Sequence, residues 1–201
     1  MSPELKADIA LLDEILREVL CSHEGDAHLE LLDQTEQRCA EILASDDAPT
    51  AKEAVGDLGL DEIRALLKSL TLRFHLLNTA EKLAIARANR ERERSATENA
   101  PRGESIAEAF AGLKNRGCSR EEVLGLLSRL DVQPTLTAHP TEARRRAILL
   151  KEQRAAAVMQ GLRDPGLLAA ERQELRRELA ELIHLLFFLF TFFALSLYLR
   201  G

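Results

Sequence analysis

Across 201 residues, 46% hydrophobic and 30% charged content describe a chain that buries a core, and exclude a disordered polar tail. Only 10 Gly, 6 Pro, one Tyr and no Trp accompany long runs of Leu, Ala, Glu and Arg, which favours helix and excludes an all-β fold. The formal charge of −6 excludes general nucleic-acid binding, which draws on a domain-wide positive excess, and leaves small acidic ligands open.

Met1 to Lys6 contains no basic stretch followed by an apolar block, so no export signal is expected and the expected compartment is the cytoplasm. Leu5, Ile9, Leu12, Ile15, Leu16, Val19 and Leu20 recur at helical spacing and predict an amphipathic helix over roughly 3–21. Leu29, Leu32, Cys39, Ile42 and Leu43 predict a second. Cys21, Cys39 and Cys118 are far apart, odd in number and outside any C-x-x-C or Cys/His cluster, so they read as reduced core residues. After the turn-rich stretch 45–50, an apolar stripe from Leu60 through Leu66, Leu70, Phe74 and Leu77 to Leu83 predicts the longest helix. It runs out into an alternating Arg/Glu face over 87–94 and a polar loop at 95–103.

Two shorter helices are predicted at about 104–115 and 120–130. Ser119 and Glu122 have the spacing of a capping box, in which each side chain satisfies the other's free backbone donor, and Gly117 suits the turn before it. The period then changes. Val132, Pro134, Leu136 and Ala138 alternate with Gln133, Thr135 and Thr137, predicting one short strand over 132–138. The helical pattern resumes at Pro140, breaks at Asp164-Pro165-Gly166 and restarts near Leu168.

His139 therefore sits between a strand and a helix. With His139 as the last non-helical residue, Pro140 takes the first helical position, where its missing N–H is no loss, and Glu142 takes the third, where acids suit the positive end. The exposed N–H groups there disfavour the imidazolium, keep the ring neutral and able to act as a base, and attract phosphate or carboxylate. A capped structural histidine is the plainer alternative. Arg146 returns to nearly the same face, but about 10 Å further along the axis. Arg144, Arg145 and Arg146 thus read as a second anion site, a salt-bridge network or solvated charges.

The string Leu136-Thr137-Ala138-His139-Pro140-Thr141-Glu142, followed by paired arginines, resembles the N-terminal signature of the phosphoenolpyruvate carboxylase family. Phe74-His75-Leu76-Leu77-Asn78-Thr79-Ala80-Glu81 is similar to that family's helix carrying an aromatic, Leu, Asn, Ala and Glu before a basic run. Leu113 to Leu130 is similar to its lead-in to the histidine, so the resemblance covers roughly 5–182. It implies a mainly α chain, the N-terminal helical portion of a helix-wrapped α/β barrel of the TIM-like type. It further implies a lyase that joins bicarbonate to phosphoenolpyruvate to give oxaloacetate and phosphate, through carboxyphosphate and an enolate, with His139 as the general base. Arg145 and Arg146 resemble residues that bind a sugar-phosphate activator in some members. Magnesium as cofactor, a homotetramer and a place in anaplerotic carbon dioxide fixation are implied in the same way. Asn78 and Glu81 match the pattern and are expected as a buried hydrogen-bonded pair securing their helix.

Members of the family are several times longer, and the parts that hold the metal and grip phosphoenolpyruvate lie beyond residue 201. No carboxylate pair near His139 reads as a magnesium site, and Glu142 reads as a helix-end acid. From His184 the chain departs from the family pattern, and five of the seven Phe crowd into the end. As a helix, residues 182–199 would span roughly 27 Å, against about 30 Å of bilayer hydrocarbon. Three segments are expected: a helical region at 1–130, a strand and helices carrying the histidine motif at 131–182, and an aberrant hydrophobic tail at 183–201. The tail is taken as the product of a truncated or frame-shifted reading rather than a membrane span. The chain alone is expected to be inactive. The competing class is a non-enzymatic, tail-anchored helical interaction protein with His139 as a structural cap. A third is an anion-binding regulatory module using Arg144 to Arg146.

Overall fold

Residues 1–44, 55–97, 100–134 and 146–198 are described by the computed structural model, at positions 43 and 191–198 for the backbone alone. Ser2 starts α1 (Pro3–Glu24): its hydroxyl accepts from the Leu5 N–H at 3.2 Å, and Pro3 occupies the first helical position, where a donor is not missed. Leu12, Ile15, Leu16, Val19 and Leu20 are buried along one face, each contributing about 1.5–3 kcal/mol of burial. Gly25 ends the helix at φ +82°, a left-handed position that a side chain would strain, with its N–H on the Cys21 carbonyl at 3.0 Å. The chain turns directly into α2 (Asp26–Ala44), which packs back on α1.

The long helix is α3 (Leu60–Ser95), 36 residues with Leu66, Ser69, Leu72, Leu76, Thr79, Ala80 and Leu83 buried. Two short helices follow, α4 (Ile106–Asn115) and α5 (Arg120–Leu127). After them come α6 (Arg146–Gly161) and α7 (Ala169–Tyr198). Between the last two, the Gly166 N–H bonds the Asp164 carboxylate at 2.8 Å in the expected turn.

Packing divides the described residues into two units. The first lies within Met1–Leu83 and Arg144–Gly201 and holds α1, α2, the start of α3, α6 and α7, with α7 packed on both α6 and α1. Polar ties cross its core. Arg73 of α3 grips Asp13 of α1 with two bonds of 2.9 and 3.1 Å and also bonds Glu36 of α2. His28 and Ser69, both buried, share a bond of 2.8 Å.

The second unit, within Ala84–Ala143, holds the end of α3 with α4 and α5. Neither short helix has a buried residue, and Ile106, Phe110, Leu124 and Leu130 are exposed. Local devices organise it. Ser105 Oγ accepts from the Glu108 N–H at 3.1 Å, and the expected capping box is complete: Ser119 Oγ accepts from the Glu122 N–H at 3.2 Å while Glu122 accepts from the Ser119 N–H at 2.7 Å. Ser119→Ala is expected to speed amide exchange in α5 roughly fivefold, the effect of one lost cap, without changing α1 or α7. Unchanged exchange in α5 would show that the cap contributes nothing.

Several expectations are corrected. In the described part of the strand predicted over 132–138, residues 132–134 are exposed and irregular, with Val132 75% accessible; 135–138 lie outside the described residues. A strand needs a partner for its backbone groups, and no strand occurs among the described residues to supply one. Asn78 and Glu81 are exposed rather than a buried pair; the buried positions beside them are Thr79 and Ala80. Cys39 is exposed and Cys21 and Cys118 are half-buried, so none is a core residue, and all three are free thiols.

The start of the apolar end, through Phe187, is part of the core. Leu179, Leu182, Ile183, Leu186 and Phe187 are buried at i, i+3, i+4, i+7 and i+8, one continuous helical face. Among the described residues no helix is long and apolar enough to cross a membrane. The division by packing does not coincide with the division by sequence character at 130 and 182.

Candidate functional site

The motif around His139 leads into α6. His139 and Arg145 lie outside the described residues, as does the helix start expected at Pro140. Arg146 is the first residue of α6 and is exposed. The structure therefore shows how the helix beyond the motif is held, rather than the ring itself.

Four contacts hold α6. Ile148, Ala155, Val158 and Met159 bury its apolar face in the first unit's core. On the same helix the buried Glu152 carboxylate bonds His75 Nδ1 of α3 at 2.6 Å, and the Phe190 ring of α7 lies 4.7 Å from the His75 ring. An imidazole tied at Nδ1 to a carboxylate has its tautomer and orientation fixed. Arg154 grips Glu178 of α7. Just beyond α6, Arg163 bonds the buried Asp8 carboxylate and the Glu4 carbonyl of α1, each at 2.7 Å. His75 belongs to the Phe74–Glu81 string, so that family-like stretch packs against the helix that follows the His139 motif.

A groove of about 260 Å³ lies beside this joint, lined by Asp8, Met159, Arg163, Arg172 and Arg176 among others. Its guanidinium groups are already engaged: Arg163 with Asp8, Arg172 with the Leu162 carbonyl at 2.8 Å and Arg176 with Glu14 at 2.9 Å. The groove also abuts the C-terminal end of α6, whose carbonyls carry negative partial charge. It is a structural joint, not an open anion site. Among the described residues no group of three or more His, Cys, Asp or Glu side chains is arranged to hold a metal ion. The magnesium implied by the resemblance thus has no fitting ligand set in the described part of the chain.

The His75–Glu152 contact and two other histidine contacts, His28–Ser69 and His23–His184, were not foreseen. Their partners are 77, 41 and 161 positions apart, and no local pattern signals such pairs.

A sequence profile of the family described as phosphoenolpyruvate carboxylase matches residues 5–188. Among curated proteins, the phosphoenolpyruvate carboxylase of Rhodothermus marinus is 40% identical over 190 residues, which is 92% of this chain and 20% of the relative. That of Thermus thermophilus is 36% identical over 148 residues, 72% of this chain and 17% of the relative. That of Xanthomonas euvesicatoria pv. vesicatoria is 30% identical over 180 residues, 87% and 20%. The chain spans about a fifth of the length of these relatives. The match runs through the start of the apolar end, to 188, in agreement with the burial of Ile183, Leu186 and Phe187. The chain belongs to the phosphoenolpyruvate carboxylase family.

Proposed function

We propose that this chain is the N-terminal part of an enzyme that carboxylates phosphoenolpyruvate with bicarbonate to oxaloacetate and phosphate. The observation that carries the reading is the family match across 5–188, which includes the whole Leu136–Arg146 motif and both flanking helices. Bicarbonate attacks the phosphoryl group, the bond from phosphorus to the enol oxygen breaks, and carboxyphosphate forms beside the enolate of pyruvate. His139 takes the carboxyl proton of carboxyphosphate. Loss of phosphate then releases carbon dioxide, which the enolate carbon attacks. The ring must be neutral to do this, and a position ahead of a helix N-terminus favours that form.

Arg145 and Arg146 form an anion site for a sugar phosphate in this reading, supported by the exposure of Arg146 at the start of α6. The helix-wrapped α/β barrel of this reading is supplied by sequence that the longer relatives carry. Magnesium is bound there as well, and the enzyme is a cytoplasmic homotetramer. What α6 contributes is stiffness: its ties to α1, α3 and α7 fix the base of the motif, and misplacement of a catalytic group by about 1 Å can lower a rate 10²-fold.

A chimera tests this. Residues 1–188 of this chain replace the matching part of the Rhodothermus marinus relative, and oxaloacetate is followed through malate dehydrogenase. Turnover that requires phosphoenolpyruvate, bicarbonate and magnesium is expected from the chimera, and none from the 201-residue chain alone. A chimera that folds and assembles but is inert would overturn the assignment, and turnover by the short chain would overturn its status as a part.

A further inference from the structure

At the end of α1, His23 Nε2 lies 2.7 Å from Nδ1 of His184 on α7, a hydrogen bond between residues 161 apart. The His23 ring also lies nearly parallel on Phe187, with centroids 4.8 Å apart and planes 14° from one another, and meets Phe188 edge-on at 5.0 Å. The Lys68 ammonium sits 3.4 Å from the centre of the Phe187 ring and bonds Glu24 at 2.9 Å. An imidazole pair thus adds a polar tie between α1 and α7 beside the core packing of Leu186 and Phe187.

We propose that the His23–His184 pair is an acid-sensitive latch, which ties the exposed side of α7 around His184 to the end of α1 and is lost when both rings become protonated. Two neutral rings share one hydrogen bond, one nitrogen donating and the other accepting. A first added proton preserves that bond in a charged, stronger form. A second turns both facing nitrogens into donors, so the bond is lost and two like charges meet at 2.7 Å.

The surroundings set the balance. From α1 the pair faces Glu24, which favours positive charge; from α3 it faces Lys68, which opposes it. From α2 comes His28, which shares Glu24 and Lys68 as neighbours but bonds Ser69. Burial holds His23 below the ordinary histidine range, with the nearby His184 and Lys68 acting in the same direction and Glu24 against it. Burial depresses His28 as well.

The sign follows from linkage. In the unfolded chain both rings of the pair take protons near pH 6.5, whereas the latched state resists at least one of them. Above about pH 6.5 the latch therefore contributes in full, and its contribution falls as the pH drops below that value through the lower folded pKa. Loss of the bond withdraws the His23 ring from Phe187 and Phe188 and loosens the end of α7. The latch is independent of whichever reaction the whole polypeptide performs.

Nitrogen-15 NMR of the 201-residue chain tests the pair directly. A scalar coupling between the two ring nitrogens at pH 7.5 and a joint two-step titration are expected; two independent titrations without coupling would overturn the latch. Amide protection factors over 184–190, corrected for intrinsic pH dependence, give the second readout. They are expected to fall severalfold between pH 7.5 and 5.5, because the latched state takes up fewer protons than the open one. His184→Phe retains an aromatic ring that cannot charge, and its protection over 184–190 is expected to be nearly flat with pH. His28 is present in both chains, so the difference isolates the pair. An acid loss of equal size in His184→Phe would refute the proposal. If that variant does not fold, the ring-nitrogen coupling in the unaltered chain decides.

Discussion

Leu186→Asp is expected to prevent folding of the unit built from α1, α2, α6 and α7, seen as loss of the cooperative thermal transition and of most helical circular dichroism. Leu186 is 0% exposed and lies among Leu182, Ile183 and Phe187, in a core that also receives Leu16, Leu20 and Leu76. Even the milder Leu186→Ala should lower stability by about 2–5 kcal/mol through lost burial and the cavity left behind. A domain has only about 5–15 kcal/mol in total, and a buried unpaired carboxylate adds a further penalty to the lost packing. The experiment also separates two accounts of the apolar end. If residues 182–199 were a membrane anchor independent of the helical fold, Leu186→Asp would abolish carbonate-resistant membrane retention and leave the melting of the remaining helices unchanged. That pattern would remove Leu186 from the core.

The second large effect concerns His139. In the chimera with the Rhodothermus marinus relative, His139→Asn is expected to lower kcat by about 10²–10⁴-fold, the usual range for removing a positioned base. Asparagine has similar size and can donate or accept a hydrogen bond, but it cannot take up the proton of carboxyphosphate. KM for phosphoenolpyruvate should change little, because the lost interaction belongs to a step after binding. The acidic limb of the kcat profile should disappear with the ring that produces it. A kcat within about threefold of the unaltered chimera would leave His139 as the capped structural residue that the sequence also allows.

How much was legible depended on where polar residues interrupt apolar ones. In α1 charges separate the leucines, so period and burial agree and Leu12, Ile15 and Leu16 face inward as expected; in α3 Leu66 and Leu83 do so too, but Leu60 and Phe74 of the expected stripe are exposed, and Leu72 and Leu76 are buried instead. The Ser119–Glu122 box was legible because its signal is two residues at a fixed spacing. In α7 nearly every position from Leu182 to Leu195 is apolar. Only His184 and Thr191 interrupt the run, too few to mark a face, so a helix whose turns through Phe187 pack in the core reads as a foreign tail. The alternation at 132–138 misled over its described positions because period 2 states only how side chains would point if a partner strand were present. Asn78 and Glu81 were readable as a string but not as an environment, since matching a pattern says nothing of which side of α3 they occupy. The motif around His139 was legible as sequence, while the ties that steady the helix after it join residues 77 and 155 apart and exist only once the chain has folded.

The two short helices α4 and α5, of 10 and 8 residues, have no fully buried residue. Both are below the roughly 12–15 residues at which an isolated helix begins to persist in water. Caps alone lower the free energy of each turn a little; they do not couple one turn to the next. Among the described residues of their unit, α4 and α5 therefore lack the shared apolar interior that α1, α2, α6 and α7 have. Gradual loss of helix over 106–127 on warming is the expected result, and one sharp transition in residue-resolved amide shifts there would overturn it.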